Sequence, residues 1–210
     1  MLFQIKSYLQ FLWHSKNEHG VHSPFVFSLV TTCFYDKKNK PEYAIIKDYR
    51  KALLENKNTI DVTDFGAGSR VFKSNKRQIS RIAQTAGISS KRAELLFRIT
   101  QYFQPKSILE IGTSLGLATS SLALGNPKAK LTTLEGCPET SKIAKEQFQQ
   151  FNFNTIESIT SQFESFLNAD NLYLKNYNLI YFDGNHSKEA TLAYFEQLLP
   201  AAGNAGHYSA

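Results

Sequence analysis

Sulfur is scarce in this chain: it has two cysteines, Cys33 and Cys137, and a single methionine. Two thiols so far apart give neither a disulfide framework nor a metal motif, so a reducing cytoplasm is the expected setting. Long apolar runs are missing too. None approaches the ~18–20 residues that span a bilayer, and the apolar start is broken by Gln4, Lys6 and Gln10. That start has no small-residue cleavage site, which argues against a secretory leader, and no membrane partner is expected. Neither repeats nor low-complexity tracts occur. With 42% hydrophobic and 20% charged residues the composition is that of a globular protein rather than a disordered one. A chain of 210 residues buries about 70% of its unfolded surface and needs no covalent staple.

Charge is present but unevenly placed. Residues 1–105 hold 17 Lys and Arg against 8 Asp and Glu, a net of +9, and residues 106–210 hold 7 against 10, a net of −3. Lys37-Lys38-Asn39-Lys40 and the stretch from Lys73 to Arg81 could draw an anionic ligand. No zinc-finger, RRM or KH pattern accompanies them, so they read first as solvated lysine-rich faces and a nucleic-acid partner is not expected. His14, His19 and His22 flank a helix break without a placed Cys or carboxylate, which disfavours a metal site there.

The first half reads as helical. Leu2, Ile5, Leu9, Leu12 and Trp13 recur at helical spacing. Ser23-Pro24 predicts an N-cap and first turn for a helix over 24–35, and further helices are expected over 41–56, 75–86 and 90–103. Phe3, Phe11, Trp13, Phe25 and Phe27 read first as core packing and second as walls of an acceptor pocket. The run Gly66-Ala67-Gly68-Ser69-Arg70 is a glycine loop. From Pro105 the pattern changes to strands at 107–111, 130–135, 155–159 and 178–182 alternating with helices, with Ser161 and Glu164 spaced as a capping box. Strand and helix in alternation predict an α/β fold, a Rossmann-like parallel sheet wound by right-handed crossovers. The expected organisation is an N-terminal helical cap over 1–104 and a core over 105–210.

In such a sheet, ligands sit beyond the carboxyl ends of the strands. There the sequence reads Glu110-Ile111-Gly112-Thr113-Ser114-Leu115-Gly116, and Glu135 ends the next strand. Gly112 permits a tight turn, Gly116 a close helix start, and an acid at Glu135 can accept both hydroxyls of a ribose. A nicotinamide site would want G-x-G-x-x-G, but Ser114 and Leu117 occupy the later glycine positions, so a dinucleotide oxidoreductase is disfavoured.

The Glu-x-Gly-x-x-x-Gly pattern resembles motif I of class I S-adenosylmethionine-dependent methyltransferases. Within them the chain looks most like the cation-dependent catechol-type O-methyltransferases, and its N-terminal motifs like a bacterial subgroup of these. The resemblance covers about residues 90–200. It implies that Glu110 holds the cofactor's ammonium, that Gly112, Thr113 and Ser114 line its amino-acid portion beside Gly116, and that Glu135 and Gly136 meet the ribose. Ser161 and Gln162 would flank the adenine, with Cys137 at its edge or inert, and Arg70 would pair with the cofactor's carboxylate. Asp183 would ligate Mg2+, and His186 stands where the family carries its catalytic base; its other reading is a residue near the next helix start. The family completes its metal site with an Asp-Asp or Asp-Asn pair at the end of a fifth strand. No such pair is present, so the sheet is expected to lack its last strands. The implied function is methyl transfer to an oxygen of a small-molecule acceptor. The alternative is a non-catalytic adenosyl-binding module, or a remnant dimerising through the exposed edge of the fourth strand.

Overall fold

The computed structural model describes residues 2–15, 20, 22–65, 72–168, 177–185 and 187–201. The chain divides into two compact units, Met1–Lys38 and Asn39–Ala210.

In the first unit, α1 (Leu2–His14) buries none of its residues. α2 (Pro24–Ser28) starts as expected, with Ser23 Oγ accepting from the Val26 N–H at 3.3 Å. It does not continue as an α-helix to residue 35: Leu29–Phe34 is a π-helix. Thr31 and Thr32 donate back to the carbonyls of Phe27 and Ser28, at 2.8 and 2.6 Å. Such side-chain bonds compete with the α ladder, and Tyr35 N–H reaches the Val30 carbonyl five residues back. Phe3, Phe11, Trp13, Phe25 and Phe27 are all exposed, so the core packing read for them is not found.

The second unit opens with α3 (Glu42–Glu55). The expected helix over 75–86 is instead a strand and a shorter helix. β1 (Thr59–Asp61) and β2 (Lys76–Gln78) form an antiparallel hairpin, with Ile60 opposite Arg77, and α4 (Ile79–Thr85) follows. α5 (Ser90–Phe103) then leads into the core: β3 (Ser107–Ile111), α6 (Leu117–Gly125), β4 (Lys130–Glu135), α7 (Pro138–Gln150), β5 (Ile156–Thr160), α8 (Phe163–Leu167), β6 (Leu179–Phe182) and α9 (Lys188–Leu198). Four strands form one parallel sheet in the order β5-β4-β3-β6. The chain winds outward from β3 to β5, then crosses to the other side of β3, so the strand order reverses between β3 and β6.

Apolar side chains cover both faces of the sheet. Ile108 and Leu131 pack with Leu96 and Leu122 on one face, and Leu109, Ile111 and Leu134 with Leu167, Tyr194 and Leu198 on the other. A third cluster joins Tyr49 and Leu53 of α3 to Ile79, Leu115, Leu117 and Phe148. The Tyr49 hydroxyl is buried there and donates to the Leu115 carbonyl at 2.9 Å. Tyr49→Phe strands that carbonyl, and urea unfolding should report a loss of about 1–2 kcal/mol.

The capping box at Ser161 does not form. The Ser161 N–H is taken by the Glu135 carbonyl, extending the β4–β5 ladder, its hydroxyl donates to the Gln162 carbonyl, and Gln162 becomes the N-cap of α8. By contrast, Ser187 caps α9 with its side chain on the Ala190 N–H.

Candidate functional site

The β3–α6 turn is built from positive φ angles at Gly112 (105°), Ser114 (49°) and Gly116 (79°). The Gly112 and Thr113 N–H groups both donate to the Leu134 carbonyl, at 3.0 and 2.9 Å. Glu135 then ties the two strand ends together. Its Oε2 accepts from the Ser114 N–H at 2.7 Å and its Oε1 from the Cys137 N–H at 2.9 Å. Burial raises its carboxyl above the usual range, with a smaller push from Asp64, against the backbone N–H groups of Cys137, Ser114 and Gly136. Gly112 sits against the end of β6: a Cβ there would stand 2.6 Å from the Asp183 carbonyl oxygen. Asp183 is anchored by its N–H on the Ile111 carbonyl at 2.8 Å, and its carboxylate acts on the phenol of Tyr181. Burial, then the charge of Asp183, raises that phenol.

Below this turn lies Glu110, fully buried. Thr119 and Thr133 donate to its Oε2, at 2.5 and 2.6 Å, and Oε1 has no hydrogen-bond partner. Burial pushes its carboxyl up to about 8; Asp183 and Glu135 add to this, and the two threonine bonds oppose it.

Above the strand ends opens a cavity of about 400 Å3, within the range of small-molecule sites. Gly112, Ser114, Glu135, Gly136, Gln162 and Asp183, all read from the sequence, line it. Thr113 faces a smaller crevice beside it, with its hydroxyl 2.6 Å from that of Thr133. Gly116 caps α6 against Tyr49 and Phe148. Glu110 and Ser161 are not among the lining residues. Arg70, His186 and the glycine loop over 66–70 lie outside the described residues, as does His19.

Sequence reasoning missed the wall made by the hairpin: Val62, Thr63, Asp64, Phe65 and Arg77. Cys137 holds it in place, accepting from the Thr63 N–H at 3.4 Å and donating to the Asp61 carbonyl at 3.8 Å. Arg77 pairs with Asp64 at 3.4 Å and stacks its guanidinium 5.0 Å above the Phe72 ring. Thr140, Glu164, Asn185 and Tyr194 also line it, with Ile82, Ala86, Phe163 and Gly184. Among the described residues no group of three or more His, Cys, Asp or Glu side chains is placed to hold a metal ion. Asp183, read as a Mg2+ ligand, belongs to no such group.

Residues 109–207 match the model of a family described as a methyltransferase domain. No curated protein matches the chain. Among solved structures, the SAH-bound methyltransferase PaMTH1 of Podospora anserina superposes with a TM-score of 0.55 at 16% identity, over 88% of this chain and 66% of its own. The O-methyltransferase of Bacillus cereus, in complex with SAH, gives 0.53 at 20% identity, over 83% and 66%. TomG of Streptomyces achromogenes, an O-methyltransferase involved in tomaymycin synthesis and bound to SAM, gives 0.52 at 16%, over 81% and 64%. The chain thus spans just under two thirds of the length of these proteins. No helix among the described residues is long and apolar enough to cross a membrane. Residues 109–207 are thus similar to a methyltransferase-domain family, and the chain shares the Rossmann-like fold of the solved structures above.

Proposed function

We propose that this protein is an S-adenosylmethionine-dependent methyltransferase that transfers the methyl group to an oxygen of a small-molecule acceptor. The observation that carries the reading is the clip made by Glu135 between the Ser114 and Cys137 N–H groups, at the mouth of a cavity beyond the strand ends. A carboxylate with both oxygens oriented there can accept ribose hydroxyls through its remaining lone pairs. Gly112, without a side chain, lets the amino-acid end of the cofactor approach the backbone. The cofactor fits the residues present: four carboxylates and one guanidinium line the cavity, a balance that favours a cationic sulfonium. When bound, it supplies an electrophilic methyl group.

The residues of the chain then have three tasks. The β3–α6 turn and Glu135 orient the cofactor, which is what an in-line displacement requires. The hairpin wall and Tyr194 narrow the cavity and reduce access of water. Asp183, at the end of β6, would take the proton of the acceptor hydroxyl, leaving an oxygen nucleophile for the methyl group that the cofactor would supply. His186 is the second candidate for that proton. An oxygen acceptor is favoured because two of the similar structures are O-methyltransferases.

Calorimetric titration with S-adenosylhomocysteine tests the reading. Micromolar binding is expected, weakened tenfold or more in Glu135→Ala, about 1.4 kcal/mol per factor of ten. A folded wild-type protein that binds neither this ligand nor S-adenosylmethionine would refute it.

A further inference from the structure

The hairpin that sequence reasoning missed brings one large apolar side chain to the cavity without burying it. Phe65 is 50% exposed and lines the cavity beside Gly136, Thr140 and Gln162. Its ring lies on the backbone of Gly136, where a Cβ would stand 2.9 Å from the ring's Cδ2. The hairpin is held in this position at two points. Val62 packs against the core cluster around Tyr49, and Cys137 bonds to Thr63 and Asp61.

The position of this ring relative to Glu135 determines what it can touch. The Gly112–Ser114 turn takes the amino-acid end of an adenosyl cofactor and Glu135 takes the ribose, so the base projects to the far side of Glu135 from the turn. Gly136 is the next residue on that side, and Asp64, the chain neighbour of Phe65, is near enough to Glu135 to raise its carboxyl. We propose that Phe65 is the aromatic platform on which the adenine of the cofactor stacks, with the Gly136 backbone beneath the ring and Gln162 on the cavity wall beside it. This assignment rests on the cofactor reading above and adds a positioning residue to it. A purine face against a phenyl ring removes apolar surface from water on both partners and adds a stacking interaction.

The test uses Phe65→Ala and Phe65→Tyr, each titrated with S-adenosylhomocysteine and with 5′-methylthioadenosine, which keeps the adenine and loses the amino acid. Phe65→Ala should weaken both ligands by about tenfold or more, and Phe65→Tyr should bind as the wild type does. Without ligand, the two variants should melt with the wild type, because a half-exposed ring contributes little to folding. Wild-type affinity in Phe65→Ala would overturn the assignment while leaving the cofactor reading intact, and tighter binding would show a ring that blocks the base. A wild-type protein that binds neither ligand would overturn both.

Discussion

The Glu110→Gln variant is expected to lose most of the pH dependence of stability that the wild type shows between about pH 5 and 9. Glu110 is fully buried, and its carboxyl is pushed from its ordinary 4.5 up to about 8. A folded-state pKa above the unfolded one means that the folded protein holds the proton more tightly. The contribution of this group to stability is therefore complete below about 4.5, declines as pH rises, and is gone once pH passes about 8. At 1.36 kcal/mol per pH unit the gap corresponds to a loss on the order of 4–5 kcal/mol. Glutamine keeps an oxygen for the Thr119 and Thr133 hydroxyls and cannot ionise. It should match the wild type near pH 5 and be the more stable protein at pH 9, as read from urea unfolding across that range. Parallel pH profiles for the two proteins would place the titrating group elsewhere.

The same residue shows how far local sequence patterns reach. Strands 107–111 and 130–135 were legible because each is a short run rich in Ile, Leu or Thr whose apolar side chains are all buried, set between a Pro- or Gly-containing turn and a helix. The glycine turn and the acid at Glu135 were legible because one tight turn and one strand end fix their relation over a short stretch of chain. Glu110 was assigned to the cofactor's ammonium by resemblance, yet it shares the parity of Ile108, whose face packs under α6. Alternation along the strand carried the signal for its burial. The hairpin carried none. β1 and β2 have three residues each, mostly polar and with no fully buried position, so no period-two pattern separates them from a helix or loop. Phe65 and Arg77 reach the cavity only through that pairing, which is why the strand-end side of the candidate site came from the sequence and the opposite wall did not.

Gly112→Ala should be a severely damaging small substitution. At φ +105° the backbone is in a region that costs an L-residue about 1–2 kcal/mol. The added methyl also has nowhere to go. It would stand 2.6 Å from the Asp183 carbonyl oxygen, 2.7 Å from that carbonyl carbon and 2.8 Å from the Gly184 nitrogen. All three are backbone atoms, held by the Asp183 N–H on Ile111, so relief requires the ends of β3 and β6 to separate. Overpacking of this kind adds about 1–3 kcal/mol. The expected total is about 3 kcal/mol or more by urea unfolding, with loss of S-adenosylhomocysteine binding in whatever protein remains folded. Gly136→Ala is the matched comparison. It has no positive φ, and the three atoms nearest its added methyl would all belong to the ring of Phe65, a half-exposed side chain that can swing aside. That variant should lose under about 1 kcal/mol. Equal losses at the two positions would mean that the β3–β6 junction yields as easily as one exposed ring, and that the turn at Gly112 is not the rigid seat from which the cofactor is aligned.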